Sequence, residues 1–277
     1  MLRHALVVAC FLLAGAASSI GKSIPNPPLD LDHFLCYVPT QSTVFTMAVR
    51  LQDQFDFAAD KTETIEDLRI ARLCAPVKKY FRNGNHFDLR TTVLRPDAYL
   101  TLFQMGPQPS TARRVSIRNQ FVGDQILQVR QAETLAVPTG RKFGDATNLP
   151  AIPIGLDHFK CYNASGMSIN RMVGLVDDFN ITLLNSPYEV KVLAPIAFCN
   201  PVEKTKGLGV DAVVTPITNP IAHLVCYAIT QVQQGGRVAI NNQFGFGVVD
   251  VNIADTLCVP SFKLSWSVIP VPPNITQ

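Results

Sequence analysis

Val49-Arg50-Leu51-Gln52-Asp53-Gln54-Phe55 decides the fold class. Apart from Asp53, apolar side chains fall at every second position with polar ones between them, the two-residue period of a strand with one buried face. The same spelling returns as Val115-x-Ile117-x-Asn119-x-Phe121, Val173-x-Leu175-x-Asp177-x-Phe179 and Val238-x-Ile240-x-Asn242-x-Phe244. A helix would place apolar residues three and four apart, and that spacing is nowhere sustained. Composition agrees. The 277 residues are 47% apolar and 16% charged, with 20 Pro and 16 Gly, which suits strands and turns. A disordered chain needs low hydrophobicity and high net charge, so that class is excluded. The formal charge of +3, or +2 once Arg3 leaves with a signal peptide, comes with no Lys/Arg run. It gives no electrostatic basis for binding nucleic acid or an anionic membrane surface.

Outward from the alternating stretches, a larger pattern recurs. Leu31-Asp32-His33-Phe34-Leu35-Cys36-Tyr37 returns as Leu156-Asp157-His158-Phe159-Lys160-Cys161-Tyr162, and more loosely as Ala222-His223-Leu224-Val225-Cys226-Tyr227. Leu73-Cys74-Ala75-Pro76-Val77-Lys78 returns around Cys199 and Cys258, and as Leu135-Ala136-Val137-Pro138. Four segments of about three strands each follow, at about 31–79, 97–142, 156–204 and 221–263. The first and third are most alike, as are the second and fourth, so the chain reads as a duplicated pair. The expected fold is all-β: two tandem antiparallel β-sandwich or barrel-like domains, 30–143 and 155–264, each from two segments and each folding alone. A polar, Pro-punctuated linker at 144–154 separates them, and 265–277 is expected to be a loose Pro-rich tail.

Residues 1–19 read as a secretory signal peptide: Arg3 and His4, then an apolar run from Ala5 to Ala14, then small residues to Ser19. The apolar run continues through Phe11-Leu12-Leu13, which argues against a lipoprotein reading of Cys10. No later segment is a candidate membrane span. The expected location is secreted, periplasmic or extracellular.

Removing Cys10 leaves six of the seven cysteines in an oxidising compartment. The first, third and fourth segments each carry one Cys in the opening strand and one in the last. The second has lost both, to Leu102 and Ala136. Joint loss is what bonded partners show, so the expected pairs are Cys36–Cys74, Cys161–Cys199 and Cys226–Cys258. Asp53, Asn119, Asp177 and Asn242 fall on apolar faces, where a polar side chain must be satisfied. Because Asn and Asp alternate there, an Asx turn accepting backbone N–H groups explains the position better than acid–base chemistry.

His33, His158 and His223 share one segment position, with Tyr99 in the remaining one. In a strand His33 faces the side of Leu35 and Tyr37, away from Phe34 and Cys36. A metal site from His and Cys of one strand is therefore disfavoured, and no Cys pair has zinc spacing. The face carrying His158, Lys160 and Tyr162 reads as the wetter one. A possible ligand surface follows: His33, Tyr37, His158, Tyr162, His223 and Tyr227. No nucleophile elbow, metalloprotease motif, phosphate loop or dinucleotide fingerprint is present. Asn83-Gly84-Asn85-His86-Phe87-Asp88 reads as a loop absent from the second pair. Asn163, Asn180 and Asn274 head glycosylation tripeptides that matter only in a eukaryotic host.

The pattern Leu-Asp-His-Phe-x-Cys-Tyr, then Asp53-Gln54-Phe55, then Leu-Cys-x-Pro-Val-x-Lys resembles an uncharacterised repeat domain of secreted bacterial proteins, over about 31–263. The resemblance implies export and tandem repetition, and it carries over no active-site residue. The expected function is a secreted, non-enzymatic module, structural or binding a ligand or protein at or outside the cell envelope. It would need no cofactor, and its partner would be an extracellular protein or polysaccharide. Two alternatives stand beside it. One is a secreted hydrolase using Asp53, Asp177, His33 and His158; the other is a carbohydrate binder using Tyr37, Tyr162 and Tyr227.

Overall fold

The computed structural model describes residues 29–41, 44–57, 63–84, 86–110, 112–145, 148–180, 187–207 and 212–270. The signal peptide read at 1–19, Cys10 and Asn274 lie outside the described residues. The described residues form an almost wholly β fold, a 14-stranded antiparallel sheet with one four-residue helix, α1 (Gln54–Phe57). The opening strands of the four segments are β1 (Phe34–Pro39), β6 (Tyr99–Met105), β9 (His158–Ser165) and the first half of β13 (His223–Asn242). The long third strands are β3 (Glu63–Pro76), β8 (Gln125–Phe143), β11 (Tyr188–Lys206) and β14 (Gly245–Val268).

These eight strands close a ring. Hydrogen bonding runs β1–β3–β6–β8–β9–β11–β13–β14 and back to β1, antiparallel at every step. An even number of antiparallel strands can close in this way without leaving an edge. The interior is filled by side chains. Phe34, Leu100, Phe159 and Leu224 pack in one cluster with Cys36, Leu102, Cys161 and Cys226 and with Cys74, Ala136, Cys199 and Cys258.

The middle strands lie outside the ring: β2 (Val44–Asp53), β7 (Arg113–Asn119), β10 (Arg171–Val176) and the second half of β13. Each forms a hairpin with the start of its own third strand. Its other edge pairs with the chain that follows the ring strand two segments away. So β2 meets the end of β11, β7 the end of β14, and β13 the end of β8; β10 meets β4 (Lys78–Asn83). Alternation explains the layering. Val49, Leu51, Val115, Ile117, Val173, Leu175, Val238 and Ile240 join one core cluster with the outward-facing Leu35, Tyr37, Phe103, Tyr162 and Tyr227 of the ring. Both faces of the ring strands are thus buried.

The antiparallel, barrel-like architecture matches the expectation from alternation. The boundary at 144–154 does not divide it. Strands β1 and β14 pair, β8 and β9 pair, and all four bridges of the middle strands join the first half of the chain to the second. The physical reason is the edge problem: a half-ring would expose unpaired backbone along β1 and β8, and closure removes both edges. The 144–154 stretch also packs down. A Cβ on Gly140 would stand 1.9 Å from the Ala151 carbonyl oxygen, and Asn241 Nδ2 donates to the Pro150 carbonyl at 2.9 Å.

Two smaller expectations are corrected. Residues 265–268 are not tail but the end of β14, and Trp266 packs edge-on against Phe55 at 4.9 Å. The stretch around His86 is not a loop. It is a hairpin of β4 and β5 (His86–Thr91), turned at Gly84 with φ of 61°. The remaining strand, β12 (Val213–Thr215), pairs with the end of β11.

Candidate functional site

The three cystines are Cys36–Cys74, Cys161–Cys199 and Cys226–Cys258, as the joint loss in the second segment indicated. Each ties an opening strand to the third strand of its own segment inside the ring. Leu102 stands directly opposite Ala136 at the vacated position. Closing 38, 38 and 32 residues stabilises by about 4 kcal/mol each in the chain-entropy account.

The four Asx side chains make the turns expected of them. Asp53 Oδ1 accepts the Phe55 N–H at 2.8 Å, Asn119 Oδ1 that of Phe121 at 2.9 Å, Asp177 Oδ1 that of Phe179 at 3.0 Å and Asn242 Oδ1 that of Phe244 at 2.9 Å. The other atom of each Asx reaches the opposite side of the ring. Tyr162 donates to Asp53 Oδ2 at 2.8 Å and Tyr37 to Asp177 Oδ2 at 2.8 Å, while Asn119 Nδ2 donates to the Tyr227 hydroxyl at 2.9 Å. Where Phe103 replaces the tyrosine, Asn242 Nδ2 turns to Thr139 at 3.5 Å. The phenylalanine of each turn packs on the same ring residue: Phe55 on Tyr162, Phe121 on Tyr227, Phe179 on Tyr37 and Phe244 on Phe103.

The possible ligand surface is therefore corrected. His33, Tyr37, His158, Tyr162, His223 and Tyr227 are all buried, none more than 8% exposed. Alternation assigned them rightly to one face, but the hairpins cover that face. Lys160, whose charge suggested a wet surface, is fully buried and donates to Asp56 Oδ2 at 2.8 Å. Nor are the four hydrolase candidates assembled: Asp53 and Asp177 hold separate turns, and His158 accepts from Gln243 Nε2 at 2.7 Å. Burial raises the pKa of Asp177 to about 6 against the pull of Tyr37 and two backbone N–H groups. Asp53 is raised by burial too, with Lys160 opposing. Asn180, a glycosylation candidate, is buried and accepts the Asp177 N–H at 3.0 Å. Among the described residues no three His, Cys, Asp or Glu side chains converge as a metal site.

Two further sets of side chains went unnoticed in the sequence, although segment position would have found both. Lys79, Arg141, Lys204 and Lys263 all lie five residues past the last Cys or its replacement, Ala136. Each charge sits over the turn phenylalanine of the next segment: Phe121 at 4.5 Å, Phe179 at 5.7 Å, Phe244 at 5.5 Å and Phe55 at 4.8 Å. Beside each cation stands the histidine or tyrosine that opens the segment. The residue after each Asx, namely Gln54, Gln120, Asp178 or Gln243, belongs to the same seam.

Three of the four seams are closed by that residue. Gln243 bonds His158, the Gln54 side-chain amide lies 3.4 Å from His223 Nε2, and Tyr99 donates to Asp178, which also pairs with Arg141. Burial, then the neighbouring lysine, lowers the pKa of His158 and of His223 to about 3, so both are neutral. The seam between the first and second segments differs. His33 and Gln120 both line a cavity of about 220 Å³ there, and His33 Nε2 is buried without a hydrogen-bond partner among the described residues. The β5 strand and the chain after it wall the cavity with Arg90, Thr91 and Leu94, and β7 adds Arg118. Among the described residues no acidic one lines it. This cavity is the candidate site.

A family described as a repeat of unknown function, DUF7450, matches residues 99–260. The chain belongs to that family. The DUF7450 match opens at β6 and ends in β14, so Arg118, Asn119 and Gln120 lie within it, whereas His33 and the β4–β5 hairpin lie outside. No curated protein and no solved structure matches the chain.

Proposed function

We propose that this protein is an exported β-repeat scaffold, four copies of one unit, that serves as a structural or ligand-binding module at or outside the cell envelope. The observation that carries this reading is the set of three cystines filling the centre of the ring. Cystines of that kind form and persist in oxidising compartments. The other repeated polar groups act in the same sense, since the Asx and tyrosine side chains join opposite segments. A hydrolase would need Asp53 or Asp177 to reach a substrate, and both are buried with backbone and tyrosine groups on their oxygens.

The test is alkylation without reductant on protein from fractionated cells, followed by peptide mapping. Exported protein lacking residues 1–19, with no reactive thiol and with the three expected linked peptides, is the anticipated result. Alkylatable thiols at all six segment cysteines of intracellular protein would sink the proposal. A hydrolase screen of the mature protein adds a second arm: turnover lost in Asp53→Asn would replace the scaffold reading with an enzymatic one.

A further inference from the structure

We propose that the open seam between the first two segments is a binding site for a small ligand carrying one oxyanion, a carboxylate or sulfate group. This goes beyond the scaffold reading and does not rest on it. Three equivalent seams show what a complete one contains. In each, the residue after the Asx lies against the opening histidine or tyrosine: Gln243 and Asp178 are hydrogen-bonded to it, and Gln54 is in contact with His223, whose Nδ1 bonds the Ile221 carbonyl. In the first seam the same two residue types are present, yet His33 Nε2 has no partner among the described residues and the space beside Gln120 is a cavity. A buried imidazole nitrogen without a hydrogen bond costs free energy, and a ligand atom supplied there recovers it.

The wall of the cavity names the chemistry. Arg90 and Arg118 offer guanidinium donors, Thr91 and Gln120 offer neutral ones, and among the described residues no carboxylate lies in the lining. Arg118 does hold Asp124 at 2.9 Å and Arg90 holds Asp88 at 3.5 Å, but both aspartates are substantially exposed, at 63% and 43%. A guanidinium has five donors in a planar fork, so one exposed carboxylate leaves others for a second oxyanion. Behind the cavity Lys79 Nζ is buried over Phe81 and Phe121, and burial, then the Arg171 charge, holds its pKa well below the ordinary lysine value, so the two guanidinium groups supply the positive charge of the site. Leu31 and Leu94 supply an apolar side. At about 220 Å³ the space is smaller than the roughly 300 Å³ at which drug-sized pockets begin. One oxyanion on a compact body fits it.

The experiment uses the mature full-length protein and nuclear magnetic resonance of the His33 ring and Gln120 side-chain nitrogens. Sulfate, acetate and glucuronate are titrated separately, against sodium chloride at equal ionic strength and against glucose. Saturable shifts at both residues with at least one oxyanion, and none with chloride or glucose, are expected. Response to sulfate and acetate would mark a site for the bare group, whereas response to glucuronate alone would mark an acidic sugar. The variant Arg90→Gln/Arg118→Gln should weaken binding by about tenfold or more, the loss expected for charge-assisted hydrogen bonds. Should it fail to fold, Arg118→Lys, which keeps charge but not the fork, should weaken binding less than Gln120→Leu abolishes it. No saturable shift with any oxyanion, an equal response to glucose, or unchanged affinity in the variants would overturn the proposal.

Discussion

Asp53 and Asp177 occupy the same position in their segments, make the same turn and accept a tyrosine from the opposite side of the ring, yet they sit in different electrostatic surroundings. At Asp53 a buried lysine, Lys160, pairs with Asp56 three residues on, and Asn200 donates to Asp53 Oδ2 at 2.9 Å. At Asp177 the residue corresponding to Asp56 is Asn180, and the one corresponding to Lys160 is Leu35. Both turns close by the same reciprocal bond: Asp53 N–H donates to Asp56 Oδ2 at 3.2 Å and Asp177 N–H to Asn180 Oδ1 at 3.0 Å. One motif therefore serves two environments, a charged and a neutral one, and the choice is made by residues about a hundred positions away. Asn119 and Asn242 show that the geometry needs no charge at all.

The largest effect should come from breaking the charged version. Asp56→Asn keeps the turn bond but takes from the buried Lys160 the carboxylate it hydrogen-bonds, with Asp53 the carboxylate that remains near it, and should destabilise the fold by about 3 kcal/mol or more in urea titration. Adding Lys160→Leu makes the Asp53 turn chemically like the Asp177 turn. The double variant should recover most of the loss, because well-packed apolar replacements of buried pairs are often neutral. A double variant as unstable as the single one would show that the lysine stem, not its charge, matters.

The second test is the pH dependence of the neutral version. The folded pKa of Asp177, about 6, exceeds its ordinary value of 3.8, so the folded state binds the proton more tightly than the unfolded one. Stability from this group is therefore greatest in acid and falls as pH rises from about 4 through about 6. A rise of that size amounts to about 3 kcal/mol at 1.36 kcal/mol per pH unit. Asp177→Asn removes the slope, so the variant should gain on the wild type by about 3 kcal/mol between about pH 3 and about pH 7. A difference that stays flat across that window would refute the burial argument.

The smallest expected effect separates the two tyrosines. Tyr37→Phe removes the side-chain donor to Asp177 Oδ2 that the described residues supply, whereas Tyr162→Phe leaves Asn200 on Asp53. At neutral pH each should cost about 1–2 kcal/mol, with Tyr37→Phe the larger. The reverse order in thermal unfolding would mean that the Asp53 cluster acts cooperatively.

Much of this fold is legible in the sequence. The alternation at Val49–Phe55 and its three copies announced half-buried strands, and the paired loss of cysteines at Leu102 and Ala136 announced the cystines. The Asp/Asn exchange announced turns that need an acceptor and not a charge. What misled was solvent exposure. Lys160 beside Tyr162 looked like a wet surface, because lysine is rarely buried unless paired, and its partner Asp56 lies 104 residues earlier. The cation five residues past each Cys and the residue after each Asx were visible as repeated positions. Their meaning was not, since each contacts the neighbouring segment and not its own.

The sequence by itself determined the strands, the turns and the cystine pairs, because each rests on spacing within one segment and on local geometry. Tertiary structure alone decided how the segments join: that two halves close one ring, that the middle strands cross to the opposite segment, and that one seam of four stays open. Those outcomes depend on which backbone edges are left unpaired and on which side chains meet across a hundred residues. Period-two alternation says that a strand has a covered face, but the identity of the cover comes only with ring closure.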